Sequence, residues 1–197
     1  MQITQTENLR VDRDGGLLRL TITRPARMNA IDLASMTEIS DVLTESATDS
    51  SIGVVVLTGE GKAFCTGADL SAGSQTTPEV VMDTASRMIR SVITLPVPVI
   101  ARINGPAAGV GLSLALAADL IYAAESTYLL LPFVNIGLMP DGGATAVVAA
   151  AVGRVRAAAL SSPAFLADIM SVMAWAIAWP MPRPVRFEVN VSNGICW

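Results

Sequence analysis

Two glycine-rich segments each follow a short apolar run and each open into a helix-like stretch, and this pairing constrains the fold more than any other feature of the chain. The first, GEGKAFCTGADL (59–70), follows VVVL at 54–57. The second, NGPAAGVG (104–111), follows VPVIARI and leads into LSLALAADL. Strand-to-helix turns leave N–H groups unpaired at the helix start, where hydrogen bonding and the helix dipole both attract negative charge. Two such turns converging from different elements place two donors on one small anion, such as the charge that develops on a carbonyl oxygen.

The rest of the chain fits around these turns. Residues 9–12 and 17–23 alternate as strands around Asp14-Gly15-Gly16, which predicts a hairpin ended by Pro25. Asp32 is placed to cap a helix carrying Leu33, Met36, Ile39 and Leu43 on one face. Val54–Thr58 reads as a fully buried strand, and residues 71–78 as a polar loop. A second helix follows Pro78 with Val81, Ala85, Met88 and Val92 in register and stops before Pro96. A strand over 97–103, a helix over 110–118, strands over 120–124 and 128–131, and an apolar helix over 143–151 complete the pattern. Strands alternating with helices indicate a parallel α/β arrangement. No long-period repeat is visible.

Composition excludes several classes of chemistry. The chain of 197 residues is 52 % hydrophobic with a net charge of −4, so it has one sizeable core and no electrostatic case for nucleic acid as a partner. Lys62 is the only lysine, and there is no histidine, which removes Ser-His and Cys-His catalytic pairs and the usual zinc sites. Cys65 and Cys196 make no disulfide framework, and the polar N-terminus does not read as a secretory signal, so a cytoplasmic location is the expectation. The apolar stretch from Ala164 to Trp179 contains Asp168 and is too short to span a membrane. The second glycine turn is not a dinucleotide fingerprint: Gly109 and Gly111 supply two glycines, but Leu114 occupies the third position.

Composition shifts near Leu160. Trp175, Trp179 and Trp197 all lie beyond it, with four prolines and little helical periodicity. The chain therefore divides into a core over 1–160 and an atypical apolar tail over 161–197. The tail is either a natural segment packed on the core or, the account favoured by its composition, the product of a shifted reading frame.

Four blocks, ITRPARMNAI (22–31), GEGKAFCTGADL, ARINGPAAGVGLSLALAADL and PFVNIGLMPDGGAT (132–145), resemble the crotonase superfamily, the enoyl-CoA hydratase/isomerase family, in order and spacing. The resemblance spans about residues 5–160 and implies a crotonase-like ββα spiral, an α/β fold, here without the family's usual C-terminal helical region. It further implies an acyl-CoA thioester as substrate, with coenzyme A part of that substrate and no separate cofactor, and assembly as a homotrimer or hexamer.

Matched block by block, the thioester oxygen would lie between the backbone N–H groups of Ala68 and Val110. The RPARMNA segment resembles the one that cups the CoA nucleotide, giving Ala26, Arg27, Met28 and Ala30 as binding residues, with Arg27 facing the phosphates. Asp69, Leu70, Phe133 and Leu138 complete the implied substrate contacts. Family hydratases use two glutamates; the matching positions hold Ser113 and Phe133, neither of which replaces a carboxylate base. Asp141 in GLMPDGG falls where family isomerases carry an acidic base. It suits two roles, the proton carrier of an isomerase or a turn or N-cap residue before the apolar helix that follows. Asp69 and Asp119 read as structural, and Cys65 as a core cysteine, since no base accompanies it. An acyl-CoA isomerase is the leading reading, with an enoyl-CoA hydratase by ancestry and a non-catalytic remnant that binds CoA or sister subunits as alternatives.

Overall fold

The structure is a computed structural model and describes residues 2–69, 77–160 and 186–187. Its elements are β1 (Gln2–Gln5), β2 (Leu9–Asp14), β3 (Leu17–Ile22), α1 (Leu33–Ser46), β4 (Val54–Gly59), α2 (Pro78–Ile93), β5 (Val99–Ile103), β6 (Ala107–Ala108), α3 (Val110–Leu116), β7 (Leu120–Ala123), β8 (Leu129–Leu130), α4 (Ala144–Val152), α5 (Arg154–Leu160) and β9 (Arg186–Phe187). The main sheet runs β1-β2-β3-β4-β5-β7-β9, and β6 pairs with β8 in a second, two-stranded sheet. The expected hairpin is β2–β3, closed by Gly15-Gly16 with Asp14 opposite Leu17. From β3 onward the strands pair in parallel, because each connection crosses back over the sheet through a helix.

Register aligns the core. Leu20 faces Leu57, Leu57 faces Ala101, and Ala101 faces Ile121, a row of buried side chains under the helices. The expectation that Val54–Thr58 is buried throughout needs correction. Val55 and Leu57 are buried, but Val54 and Val56 are only half-buried, so the described residues cover one face of the strand fully and the other in part. An apolar run reports hydrophobicity on both faces and does not say what covers each.

Helix α1 begins where Asp32 accepts a hydrogen bond from the Ser35 N–H at 2.8 Å, and it buries Met36, Ile39 and Leu43 while Leu33 remains half-buried. Helix α2 opens on Pro78, which suits a first helical position, and buries Ala85, Met88, Ile89 and Val92. The two helices pack on each other. Asp119, just past α3, ties that end to β5: its carboxylate accepts from the Val99 N–H at 2.8 Å and its N–H donates to the Val99 carbonyl at 2.9 Å. Among the described residues no helix is long and apolar enough to cross a membrane. Of the tail, only Arg186 and Phe187 are described; they extend the sheet beside β7. The tail's tryptophans and Cys196, the loop over 71–76 and Leu70 lie outside the described residues.

Candidate functional site

The first turn is stapled by two asparagine side chains. Asn29, fully buried and in the left-handed region at φ 56°, donates to the carbonyls of Glu60 at 2.9 Å and Ala63 at 2.7 Å. Its side-chain oxygen accepts from the Arg24 N–H at 3.0 Å. Asn104 accepts from the Gly59 N–H at 3.1 Å and donates to Gly61 and Ala63 at 3.0 and 3.1 Å. Ile31 then grips the end of the turn. Its N–H donates to Gly67 at 2.9 Å, and its carbonyl accepts from the Asp69 N–H at 2.8 Å. These two bonds bracket Ala68 as a parallel bridge, so the Ala68 N–H points to the side away from Ile31.

The second turn lies directly against the first. Ala108 donates to the Cys65 carbonyl at 2.9 Å, and Gly109 donates to Leu130 at 3.1 Å. Gly109 adopts φ 52°, ψ −129°, a conformation closed to other residues, and α3 starts at the next residue. The unusual backbone therefore falls on Gly109, and Val110 keeps ordinary helical geometry in spite of its branched side chain. A Cβ added to Gly111 would fall 2.2 Å from the Cys65 carbonyl, and one added to Gly67 would lie 3.9 Å from the Gly109 Cα. The residues immediately before Ala68 and Val110 thus meet backbone to backbone. No hydrogen bond from either the Ala68 or the Val110 N–H is present among the described residues.

The third segment closes over this junction. Phe133 is buried on a short 3-10 helix over Phe133–Ile136, with its ring 3.7 Å from a Cβ placed on Gly109. A Cβ on Gly142 would meet Val110 Cγ2 at 2.8 Å and Ser113 Cβ at 3.6 Å, so the Asp141-Gly142 turn rests on the Val110–Ser113 face of α3. Asp141 is half-buried, and its Oδ1 is buried without a hydrogen-bond partner. Desolvation raises its pKa above the ordinary carboxylate value, opposed by a bond from its own backbone N–H. It does not cap α4: Gly143 is the N-cap with no side-chain bond, and only the Asp141 main-chain carbonyl reaches Ala144, at 2.9 Å. Its side chain therefore does not act as the N-cap, while its main chain forms the turn before α4.

The structure therefore brings Ala68, Val110, Phe133 and Asp141 into one neighbourhood. Leu138 follows at its margin, 51 % exposed, with its N–H bonded to Phe133 at 2.9 Å. Ala26, Arg27 and Met28 are exposed on the segment before Asn29, and the Thr66 hydroxyl donates to the Met28 carbonyl at 3.1 Å, which lays that segment along the first turn. The carboxylate of Asp69 is turned to Arg24 at 3.0 Å. Ser113 is fully buried, and its hydroxyl has no partner. Cys65 is fully buried and its thiol is pushed up to about 12 by burial, consistent with a packing role. Arg24, Asn29 and Asn104 hold the site together, yet sequence reasoning gave them no role. The available signal was weak: asparagine tolerates a left-handed backbone and carries both a donor and an acceptor.

Comparison with known proteins gives a consistent answer. Residues 12–165 match the enoyl-CoA hydratase/isomerase family. The chain is 34 % identical to a probable enoyl-CoA hydratase of Rhodobacter capsulatus over 91 % of its own length and 70 % of the relative's. It is 32 % identical to the 1,2-epoxyphenylacetyl-CoA isomerase of Escherichia coli, covering 83 % of this chain and 65 % of that one. The crystal structure of an enoyl-CoA hydratase from Mycobacterium avium subsp. paratuberculosis superposes with a TM-score of 0.80 at 39 % identity, over 87 % of this chain and 70 % of the other. The chain thus spans about two thirds of the length of the proteins it matches.

Proposed function

The chain belongs to the enoyl-CoA hydratase/isomerase family, and from that premise we propose that it moves a double bond along the acyl chain of an enoyl-CoA rather than adding water to it. In this reading the thioester carbonyl oxygen accepts from the N–H groups of Ala68 and Val110. Asp141 removes a proton from the carbon beside the thioester, and the electron pair flows into the carbonyl as a dienolate. The two preorganised amides stabilise that charge, since they need no reorientation as it forms. Asp141 then returns the proton to the carbon at the far end of the conjugated system, shifting the double bond and regenerating the carboxylate. One proton carrier suffices.

The single observation that supports this most is the Asp141 carboxylate, with an oxygen buried, unpartnered and set beside Val110 through Gly142. Burial raises its pKa, which strengthens it as a base and lets it hold the proton between the two steps. Hydration by two carboxylates is disfavoured, because the matching positions carry Ser113 and Phe133. The segment of Ala26, Arg27, Met28 and Ala30, with Leu70, Leu138 and the backbone of Asp69, is assigned to the coenzyme A and acyl portions, the Asp69 carboxylate being turned to Arg24. A cytoplasmic trimer or hexamer is part of the same proposal.

The test compares isomerisation of a 3-enoyl-CoA with hydration of crotonyl-CoA on one preparation, with assembly read by size-exclusion chromatography. Isomerisation at least tenfold faster than hydration is the expected outcome. Robust hydration without isomerisation would instead establish a hydratase that works without the paired glutamates.

A further inference from the structure

Beneath the first turn lies a guanidinium that the proposed chemistry does not use. Arg24 Nη2 sits 3.0 Å from Asp69 Oδ2 and 3.2 Å from Asp32 Oδ2, and Nη1 donates to the Ala30 carbonyl. The Arg24 side chain is 17 % exposed and that of Asp69 8 %, so this is an interior contact and not a solvated surface pair. Asp69 immediately follows Ala68, and its own N–H is the lower half of the Ile31 bracket. Asp32 caps α1 through Ser35, and Arg24's backbone N–H is held by the buried Asn29. One planar fork thus joins the helix cap, the Ala30 carbonyl and the residue next to Ala68.

We propose that Arg24 is a positioning residue that fixes the direction of the Ala68 N–H by holding Asp69. The proposal rests on the reading of Ala68 as a donor to the thioester oxygen. The backbone bracket sets where Ala68 lies, and the main chain holds the peptide that carries the Ala68 N–H through the Ile31 bond to its Gly67 carbonyl, about which it can still tilt. Anchoring the Asp69 side chain through Arg24 to the Ala30 carbonyl and to Asp32, the residues flanking Ile31, limits that tilt. Arginine suits the task because its fork reaches three acceptors in one plane, which a lysine ammonium does not. The donor is useful only if it is in place before charge develops on the oxygen, and small misplacements of such groups cost about tenfold to a hundredfold in rate.

The experiment uses the full chain as wild type, Arg24→Gln, Arg24→Lys and Asp69→Asn, with Arg13→Gln as a control that breaks a surface ion pair with Asp49 far along the chain. Acetoacetyl-CoA is the probe, because its enolate absorbance grows when charge on the thioester-side oxygen is stabilised. Arg24→Gln and Asp69→Asn should lower kcat for 3-enoyl-CoA about tenfold to a hundredfold and weaken the enolate band, with KM changed by less than about threefold. Arg24→Lys should recover part of both. The control should match wild type in each readout. Circular dichroism checks folding, and if Arg24→Gln is unfolded the nearly isosteric Asp69→Asn carries the test alone. A folded Asp69→Asn with wild-type kcat and a full enolate band would overturn the proposal while leaving the donor reading intact. A wild-type protein that binds acetoacetyl-CoA without any enolate band would overturn the donor reading and this proposal with it.

Discussion

Asp141 carries an unpaired oxygen inside the protein, and exchanging it for asparagine should therefore change activity and stability in opposite directions. Its pKa is raised chiefly by desolvation, from a reference of 3.8. A raised folded-state value means the folded chain holds this proton more tightly than the unfolded chain. Between the unfolded and folded values the folded state binds more protons, so stability falls as pH rises through that window. Above the window the penalty of the charged group, eased by the bond from its own backbone N–H, remains in full. Asparagine has nearly the same shape and no charge, so the penalty is relieved at neutral pH. Below the unfolded pKa, where both side chains are neutral, little relief is expected. Asp141 is only half-buried, and solvent screening limits the gain to about 1 kcal/mol, or roughly 2–4 °C in melting temperature for a chain of this size. Isomerisation loses its proton carrier, so kcat should fall by about 10²–10⁴, with KM changed by less than about threefold. In the wild type the acid limb of kcat/KM should lie above 3.8, because the base must be ionised. The assay pairs thermal melts at neutral pH and at about pH 3 with steady-state kinetics on the same preparations. An Asp141→Asn protein no more stable than wild type at neutral pH would refute the buried-charge argument, and one with intact kcat would refute the assignment of the base.

Three other outcomes follow from the same geometry. Gly109→Ala forces a side chain into φ 52°, ψ −129°; it should cost about 1–3 kcal/mol in denaturant melts and, by moving the Val110 N–H, lower kcat by about 10²–10³. Cys65 is fully buried with its thiol raised to about 12, so thiol reagents at neutral pH should leave it unmodified until the chain is unfolded, as peptide mapping by mass spectrometry will show. Asp32→Ala removes the α1 cap, whose Oδ1 accepts from Ser35 N at 2.8 Å and Ser35 Oγ at 2.7 Å, and should cost about 1 kcal/mol at neutral pH. Burial works against the Asp32 charge, but the Ser35 bonds and Arg24 outweigh it and depress its pKa below 3.8; the stabilisation is present above that value and is lost as pH falls through the depressed one, so the difference between variant and wild type should close in acid.

How much of this was legible beforehand depended on whether the information was local. Helix α1 was legible because its cap, Asp32, and its 3.6-residue period lie within one window, and the hairpin because Gly15-Gly16 punctuates two alternating runs. Strand β6 is two residues long, too short for alternation to exist, whereas the strand expected over 128–131 is present as β8, Leu129–Leu130. Helix α5 lies beyond the helix expected over 143–151: Gly153, at φ 82°, separates it from α4, and its seven residues are too few for a clear period. The two turns were legible through their glycines, which mark close backbone approach, while the choice of Ala68 and Val110 as proposed donors came from the family resemblance. The staples of those turns were not: Asn29 bonds to carbonyls 31 and 34 residues away, and Arg24 to a carboxylate 45 residues away. Neither pairing leaves a local trace.

The same distinction separates scaffold from site. Asn29, Asn104, Arg24 and Asp119 find hydrogen-bonding partners within the protein and fix the two turns and the end of α3. Folded interiors leave few buried polar groups unpaired, so those that remain unpaired need a reason. Thr21, Thr23 and Ser113 leave hydroxyls without partners, but a hydroxyl is neutral and can rotate toward a passing water. The Asp141 carboxylate differs, because once ionised it carries a charge that burial penalises. It lies near Val110 through Gly142, and the Ala68 and Val110 N–H groups, each preceded by a glycine, Gly67 or Gly109, pressed against the other turn, make no hydrogen bond among the described residues. Packing alone would have been served as well by an asparagine at 141 and by turns that satisfied their own N–H groups. The proposed pair of donors and the proposed base together suit a ligand that brings both an oxygen that gains charge and an acidic C–H. An enolisable thioester supplies both, and that chemical complementarity is the strongest link between this sequence and its proposed reaction.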